Sequence, residues 1–95
     1  MPEFLIELYV PRTDTNAVER QAARARSAAE ELSREGTPVR YLRSVFVPED
    51  ETCFFLYEAA TAEEVEQAAR RASLRFDHAA AAVMGEIGEQ EPPTR

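Results

Sequence analysis

The stretch VRYLRSVFVPEDETCFFLYEA, residues 39–59, decides the fold of this chain. Two apolar runs flank the polar segment Pro48-Glu49-Asp50-Glu51, and both runs are rich in the β-branched and aromatic residues that favour strands. Proline cannot donate a hydrogen bond to a strand ladder, and three adjacent carboxylates need contact with water. The stretch therefore predicts a β-hairpin that turns at these four polar residues.

If four residues form the loop, the strand partners of the hairpin can be counted outward from the turn. The predicted pairs are Val47 with Thr52, Val45 with Phe54, Arg43 with Leu56, and Tyr41 with Glu58. Both faces of the hairpin then carry apolar side chains, whereas an antiparallel sheet with one face in water alternates apolar and polar residues. The pattern predicts a sheet that is covered on both faces.

One strand and one helix are predicted before the hairpin. Apolar residues alternate over Phe4–Val10, and Pro11 ends this strand because proline lacks an N–H group. Residues 16–35 repeat apolar side chains at helical spacing, with Asn16 or Asp14 as the candidate N-terminal cap. The apolar stripe of this helix consists of Val18, Ala22, Ala25, Ala29 and Leu32.

A second helix is predicted at residues 61–72, directly after the hairpin. Thr61 and Glu64 have the three-residue spacing of a capping box. Leu74 and Phe76 follow the helix, and we expect them to fill the core beneath it. The apolar stripe of this helix consists of Val65, Ala68, Ala69 and Ala72.

The segment at residues 78–87 has two readings. Its run of four alanines favours a helix, whereas its short length and the residues Val83, Met84 and Ile87 favour a strand. We predict a strand here. Residues 88–95, GEQEPPTR, contain no apolar anchor and are predicted to form a disordered tail.

The predicted order of elements is β-α-β-β-α-β within a single α+β domain, residues 1–87. This is the ferredoxin-like pattern, in which two helices cover one face of a four-stranded antiparallel sheet. The other face still carries aromatic and aliphatic side chains, and a large apolar patch indicates an interface. The residues therefore predict a homodimer that packs sheet against sheet.

Charge and composition exclude several classes of partner. The chain has 18 acidic and 11 basic residues and a net charge of −7, so neither nucleic acid nor an anionic membrane surface is an expected partner. No apolar run approaches the roughly 20 residues of a membrane span, and the N-terminus lacks the basic start of a signal peptide. Cys53 is the only cysteine, which predicts a reducing, cytoplasmic location.

Candidate metal ligands lie at two places in the sequence. His78 is the only histidine and follows Asp77, and imidazole beside carboxylate can bind nickel, zinc or copper. Glu49 and Asp50 lie in the hairpin turn, where carboxylates could bind a cation or simply face solvent. His78 could equally be an ordinary residue at the start of a strand. A complete metal site would need further ligands from elsewhere in the chain or from a second subunit.

A second set of candidates follows from the hairpin register. Tyr41, Arg43 and Glu58 would share one face of the sheet, where charged side chains cost free energy unless they are paired. One interpretation is an internal ion pair between Arg43 and Glu58. The other is that the three residues line a ligand cavity, either against the helices or between subunits. Cys53 is interpreted as a small buried side chain rather than a nucleophile.

Three segments of the chain carry a family resemblance, namely SVFVPEDETCFFLYEA, TAEEVEQAARRASLRFDH and the N-terminal FLIELYVPR. They resemble a small family catalogued as a domain of unknown function, whose members are often labelled nickel-binding proteins. The likeness covers most of residues 3–87. It implies a ferredoxin-like subunit, a dimer in which two sheets form an α/β barrel, and nickel as the metal. The family pattern includes a histidine in the second helix and a Gly-Leu-Pro turn, whereas residues 70–75 here read RRASLR.

Three functions remain open at this point. The first is a dimeric, cytoplasmic, non-enzymatic protein that binds a divalent metal, nickel by the resemblance, or a small ligand. The second is a cofactor-independent oxygenase or isomerase that uses a cavity between subunits, which rests on analogy of fold. The third is an interaction module without a ligand.

Overall fold

A computed structural model of the chain describes residues 1–83, and the order of elements in it is β-α-β-β-α-β. The elements are β1 (Glu3–Tyr9), α1 (Ala17–Arg34), β2 (Val39–Val47), β3 (Thr52–Ala59), α2 (Ala62–Arg71) and β4 (Ala80–Ala82). The four strands form one antiparallel sheet in the order β2-β3-β1-β4. The predicted ferredoxin-like α+β fold is confirmed.

The hairpin of β2 and β3 follows the predicted register near its turn and departs from it further along. Val47 with Thr52, Val45 with Phe54 and Arg43 with Leu56 are paired as predicted. The predicted pair of Tyr41 with Glu58 is wrong, because a β-bulge between Tyr41 and Arg43 adds one residue to β2. Beyond the bulge, Tyr41 pairs with Tyr57 and Arg40 pairs with Glu58.

The hydrophobic core lies between the sheet and the two helices. Alternate residues of β1 and β3 point into it, and the most deeply buried large side chains include Ile6, Phe55 and Tyr57. The alanine-rich stripes predicted for both helices face this core, with Leu32 and Val65 as their largest buried members. Small side chains on the helices let them lie close to the aromatic residues of the sheet. Leu74 is buried after α2, as predicted, and Phe76 packs against the same core.

The starts of the two helices differ in how they are capped. Thr61 precedes α2 in extended conformation, and its hydroxyl oxygen accepts a hydrogen bond of 3.2 Å from the Glu64 amide. The Glu64 carboxylate accepts one from the Ala60 amide at 3.2 Å, one residue before the position in a standard capping box. Asn16 precedes α1 with helical dihedral angles and makes no side-chain capping bond, so its predicted role as a capping side chain is wrong.

The last strand is shorter than predicted. β4 comprises only Ala80–Ala82, which pair with Glu3–Leu5 of β1. His78 and Ala79 are not part of the strand, because the Ala79 amide donates instead to the Glu66 carboxylate of α2 at 2.9 Å. The predicted strand from residue 84 to 87 and the predicted tail at residues 88–95 lie outside the described residues.

The face of the sheet opposite the helices is called the open face below. It presents apolar side chains of β1, β2 and β3, of which Tyr9 is 68% exposed and Val45 is 54% exposed, while Phe54 lies between them half-buried. Over residues 1–83, neither helix has the length and apolar character required to cross a membrane.

Candidate functional site

A cleft of about 830 Å³ lies beside β1, where β4 leaves part of that strand uncovered because it begins only at Ala80, opposite Leu5. β4 covers only Glu3–Leu5, so the edge of β1 from Ile6 to Tyr9 has no strand partner among residues 1–83. Residues 74–78, between α2 and β4, are separated from this edge by the cleft and form its other wall. We call this space the β1 cleft.

Three of the four predicted metal ligands line the β1 cleft. Asp77 and His78 form part of its outer wall, and Asp50 reaches it from the hairpin turn. Glu49 is exposed and lies outside the lining of the cleft. The cleft is therefore lined by candidate ligands from distant parts of the sequence. Asp50 and Asp77, for example, are 27 residues apart in the chain.

Two carboxylates of the cleft were missed by the sequence analysis. Glu7 lines it from the exposed face of β1, and Glu51 lines it from the end of the hairpin turn. Glu7 could have been recognised as a candidate from the sequence, because it is a charged residue flanked by apolar residues within β1. Glu51 was seen only as one of three turn carboxylates, and nothing in its spacing indicated which of them faces β1.

Glu51 holds the hairpin turn against the end of β1. It adopts a left-handed conformation with φ of 49°, and its carbonyl oxygen accepts a hydrogen bond of 3.0 Å from the Val10 amide. Its carboxylate accepts a second bond, of 2.9 Å, from the Arg12 amide, with the Arg12 guanidinium 3.8 Å away. These contacts place Asp50 at the mouth of the cleft.

The side chains that line the cleft include some of the donor atoms that a metal ion requires. Carboxylate oxygens and one imidazole are suitable ligands for a borderline divalent ion such as Ni²⁺. However, within residues 1–83 no three His, Cys, Asp or Glu side chains converge closely enough to hold an ion. Arg70 and Arg75 also line the cleft and add positive charge. The described part of one chain therefore does not by itself form a metal centre.

Tyr41, Arg43 and Glu58 do not share a face of the sheet, and the prediction that they do is wrong. The bulge after Tyr41 turns its ring towards the helices, where it packs edge-on against Phe55 and Tyr57 with ring centroids 5.4 and 5.8 Å apart. Arg43 and Glu58 remain on the open face by register. Glu58 pairs at 3.2 Å with Arg40 rather than with Arg43, as the shifted register requires.

Two buried ionisable side chains are held in their neutral forms. Burial raises the pKa of the Cys53 thiol to about 11, so the thiolate needed for nucleophilic attack is scarce at neutral pH. Burial, with a smaller contribution from Tyr41, raises the pKa of Tyr57 as well. Tyr57 is fully buried, and its hydroxyl has no hydrogen-bond partner among the described residues.

Comparison with known proteins identifies both a family and a fold. A family model described as "Nickel responsive protein SCO4226-like" matches residues 4–81. The crystal structure of SCO4226 from Streptomyces coelicolor A3(2) superposes with a TM-score of 0.67 at 21% identity, covering 88% of this chain and 99% of that one. At this level of identity the structural likeness supports the fold. No curated protein matches the chain.

Proposed function

The chain belongs to the SCO4226-like family of nickel-responsive proteins, and from this premise we propose that it binds a divalent metal ion, nickel first, as a homodimer. The observation that carries the proposal is the β1 cleft, in which His78 and Asp77 stand opposite further carboxylates. We also infer a reducing, cytoplasmic location, because the single cysteine is a buried free thiol.

The chemistry of the cleft favours His78 as the first ligand. Its side chain is exposed, so the imidazole is available to an incoming ion. Asp77 is exposed beside it, and a carboxylate with an imidazole is a donor pair suited to Ni²⁺. Glu51 is less suitable, because its carboxylate already accepts a hydrogen bond from the Arg12 amide.

A second copy of the chain would complete the ligand set. The β1 cleft and the open face share Tyr9 and Phe54, so a subunit packed on the open face would lie at the mouth of the cleft. The open face carries partly exposed apolar side chains beside Arg43 and Glu58, and its apolar part favours such packing. The metal would then bind between subunits, which agrees with the incomplete set of ligands among residues 1–83 of one chain.

Native mass spectrometry of untagged protein, with and without added Ni²⁺, tests metal binding and subunit number together. The tag must be absent because a polyhistidine tag itself binds nickel. We expect a dimer that carries a whole number of nickel ions. A dimer without nickel at concentrations that saturate other nickel sites would contradict metal binding, while a monomer at micromolar concentration would contradict the dimer.

Variants identify the ligands. His78→Ala should abolish stoichiometric nickel binding, and Asp77→Asn should weaken it by about tenfold or more, because each removes a proposed ligand. Glu49→Gln is the matched control for Asp77→Asn, since it removes the same charge from an exposed residue outside the cleft. Equal loss of nickel in the Asp77 and Glu49 variants would show that the cation is attracted only by net charge.

A further inference from the structure

A second pocket, of about 460 Å³, lies on the helix side of the molecule between the last turns of α1 and the start of β2. We call it the arginine pocket. Its walls include Arg26, Glu30 and Arg34 of α1 and Arg40 and Tyr41 of β2. It shares no residue with the β1 cleft, so its role is independent of the proposed metal function.

Two of the three arginines that line this pocket have no carboxylate partner among residues 1–83, in a chain with a net charge of −7. Most arginines in the described part of the chain pair with a carboxylate or a backbone carbonyl. Arg26 and Arg34 form no salt bridge within residues 1–83, although acidic residues outnumber basic ones in the chain. Their guanidinium groups are therefore available to an anion from outside.

The pocket is built on contacts that hold its walls in place. The Arg26 guanidinium carbon lies 5.4 Å from the centroid of the Tyr41 ring, a cation–π distance that limits the freedom of this side chain. Ser33 joins the two walls, because its hydroxyl donates to the Val39 carbonyl at 2.9 Å and accepts from the Val39 amide at 3.2 Å. The β-bulge that turns Tyr41 towards the helices thus also forms this pocket.

We propose that the arginine pocket binds the oxyanion group of a small molecule, a carboxylate or a phosphate. A guanidinium group donates two parallel hydrogen bonds to either kind of oxyanion, and two guanidinium groups without a salt bridge among residues 1–83, those of Arg26 and Arg34, line this pocket. The volume suits a small ligand. The strongly acidic chain and the small number of free cations do not suit a nucleic-acid backbone, which requires many cationic contacts.

Glu30 provides a direct way to separate this proposal from an ordinary charged helix surface. It lies four residues from both Arg26 and Arg34, at the spacing of helical ion pairs, yet makes no salt bridge with either. If the arginines bind an external anion, Glu30 repels that anion. Glu30→Gln should therefore strengthen anion binding more than Glu49→Gln, which removes the same charge from an exposed residue outside the pocket, whereas an unspecific surface effect would change equally in the two variants.

The test is a titration of ¹⁵N-labelled protein followed by NMR, with inorganic phosphate in one series and acetate in another, at constant ionic strength. We expect saturable shifts at the side-chain Nε–H signals of Arg26 and Arg34 and at the Tyr41 amide. Arg26→Gln and Arg34→Gln should each weaken binding by about tenfold, the loss of one charge-assisted interaction. The series with the lower dissociation constant identifies phosphate or carboxylate as the preferred group.

Arg20→Gln is the matched control, because it removes the same charge from the same helix at an exposed ion pair with Asp14, outside the pocket. Binding in this variant should equal that of the unmodified protein. Shifts that rise linearly without saturation in both series, or an equal loss in the Arg20 and Arg26 variants, would overturn the proposal. The two arginine variants of the pocket change exposed side chains, so misfolding of one still leaves the other as a test.

Discussion

Among residues 1–83, Cys53 and Tyr57 are the two ionisable side chains that the core encloses completely, and both lie on the face of β3 that meets the helices. Their positions are set by strand alternation, which sends residues 53, 55 and 57 to the same face. Burial favours the neutral form of both groups and raises the pKa of each. The folded protein therefore retains protons that the unfolded chain releases at alkaline pH.

This difference predicts a loss of stability at alkaline pH. The unfolded Cys53 thiol loses its proton near its ordinary pKa of 9.0, while the folded thiol keeps it until about pH 11, so the free energy of unfolding falls as pH rises between these values. Urea unfolding followed at pH 8, 9, 10 and 11 measures the slope. Cys53→Ala should remove the part of this pH dependence that the thiol causes. If the free energy of unfolding falls equally with pH in both proteins, this explanation is contradicted.

At the scale of elements, polar contacts secure the ends of the two helices. Arg71 of α2 donates two hydrogen bonds, of 2.7 and 3.0 Å, to the carboxylate of Glu35 just after α1, and this hydrogen bonding lowers the pKa of Glu35. The Arg24 guanidinium of α1 donates to the Ala72 carbonyl at the end of α2, at 2.9 Å. Both contacts are near the surface, so they orient the helices more than they stabilise the fold.

The cap of α2 makes a larger expected contribution. Thr61→Ala removes the side-chain oxygen that accepts from the Glu64 amide and should lower the free energy of unfolding by about 1 kcal/mol. Chemical denaturation measures this change, with Thr15→Ala, an exposed threonine that makes no side-chain hydrogen bond within residues 1–83, as the control. If the two variants lose equal stability, the loss comes from the threonine side chain in general and the cap has no special role.

At the scale of the whole molecule, the two faces of the sheet differ in how they are covered. Both helices lie on one face and bury it, while the open face exposes apolar side chains in one chain. The sequence predicts this arrangement, because both faces of the hairpin carry apolar residues but only two helices are available. The homodimer is our proposal for what covers the second face.

The dimer can be tested by a substitution on the open face. Val45 is 54% exposed on β2, and Val45→Glu would place an unpaired charge in an interface between open faces. We expect this variant to be monomeric at concentrations where the unmodified protein is dimeric, as measured by sedimentation velocity. Val83→Glu is the control, because Val83 is 91% exposed and lies after β4 rather than among the apolar residues of the open face. A dimer that survives Val45→Glu would exclude this face as the interface.

The order of elements, the apolar stripes of both helices and the turn at Pro48 can all be predicted from the sequence. These features depend on local patterns, namely alternation in strands, spacing of three and four in helices, and the restricted backbone of proline. The same patterns predicted the cap at Thr61, because Thr61 and Glu64 are only three residues apart. Local patterns suffice where the interacting groups are close in the chain.

The grouping of the candidate site residues, in contrast, depends on contacts between segments that are distant in the chain. The bulge between Tyr41 and Arg43 separates three residues that simple alternation places together, since the Tyr41 ring packs against Phe55 and Tyr57 under the helices. The β1 cleft depends on the late start of β4 at Ala80, which leaves β1 uncovered beyond Leu5. It depends also on the hydrogen bond from the Arg12 amide to Glu51, 39 residues away in the chain. Such contacts are set by packing between distant segments, which no local pattern in the sequence encodes.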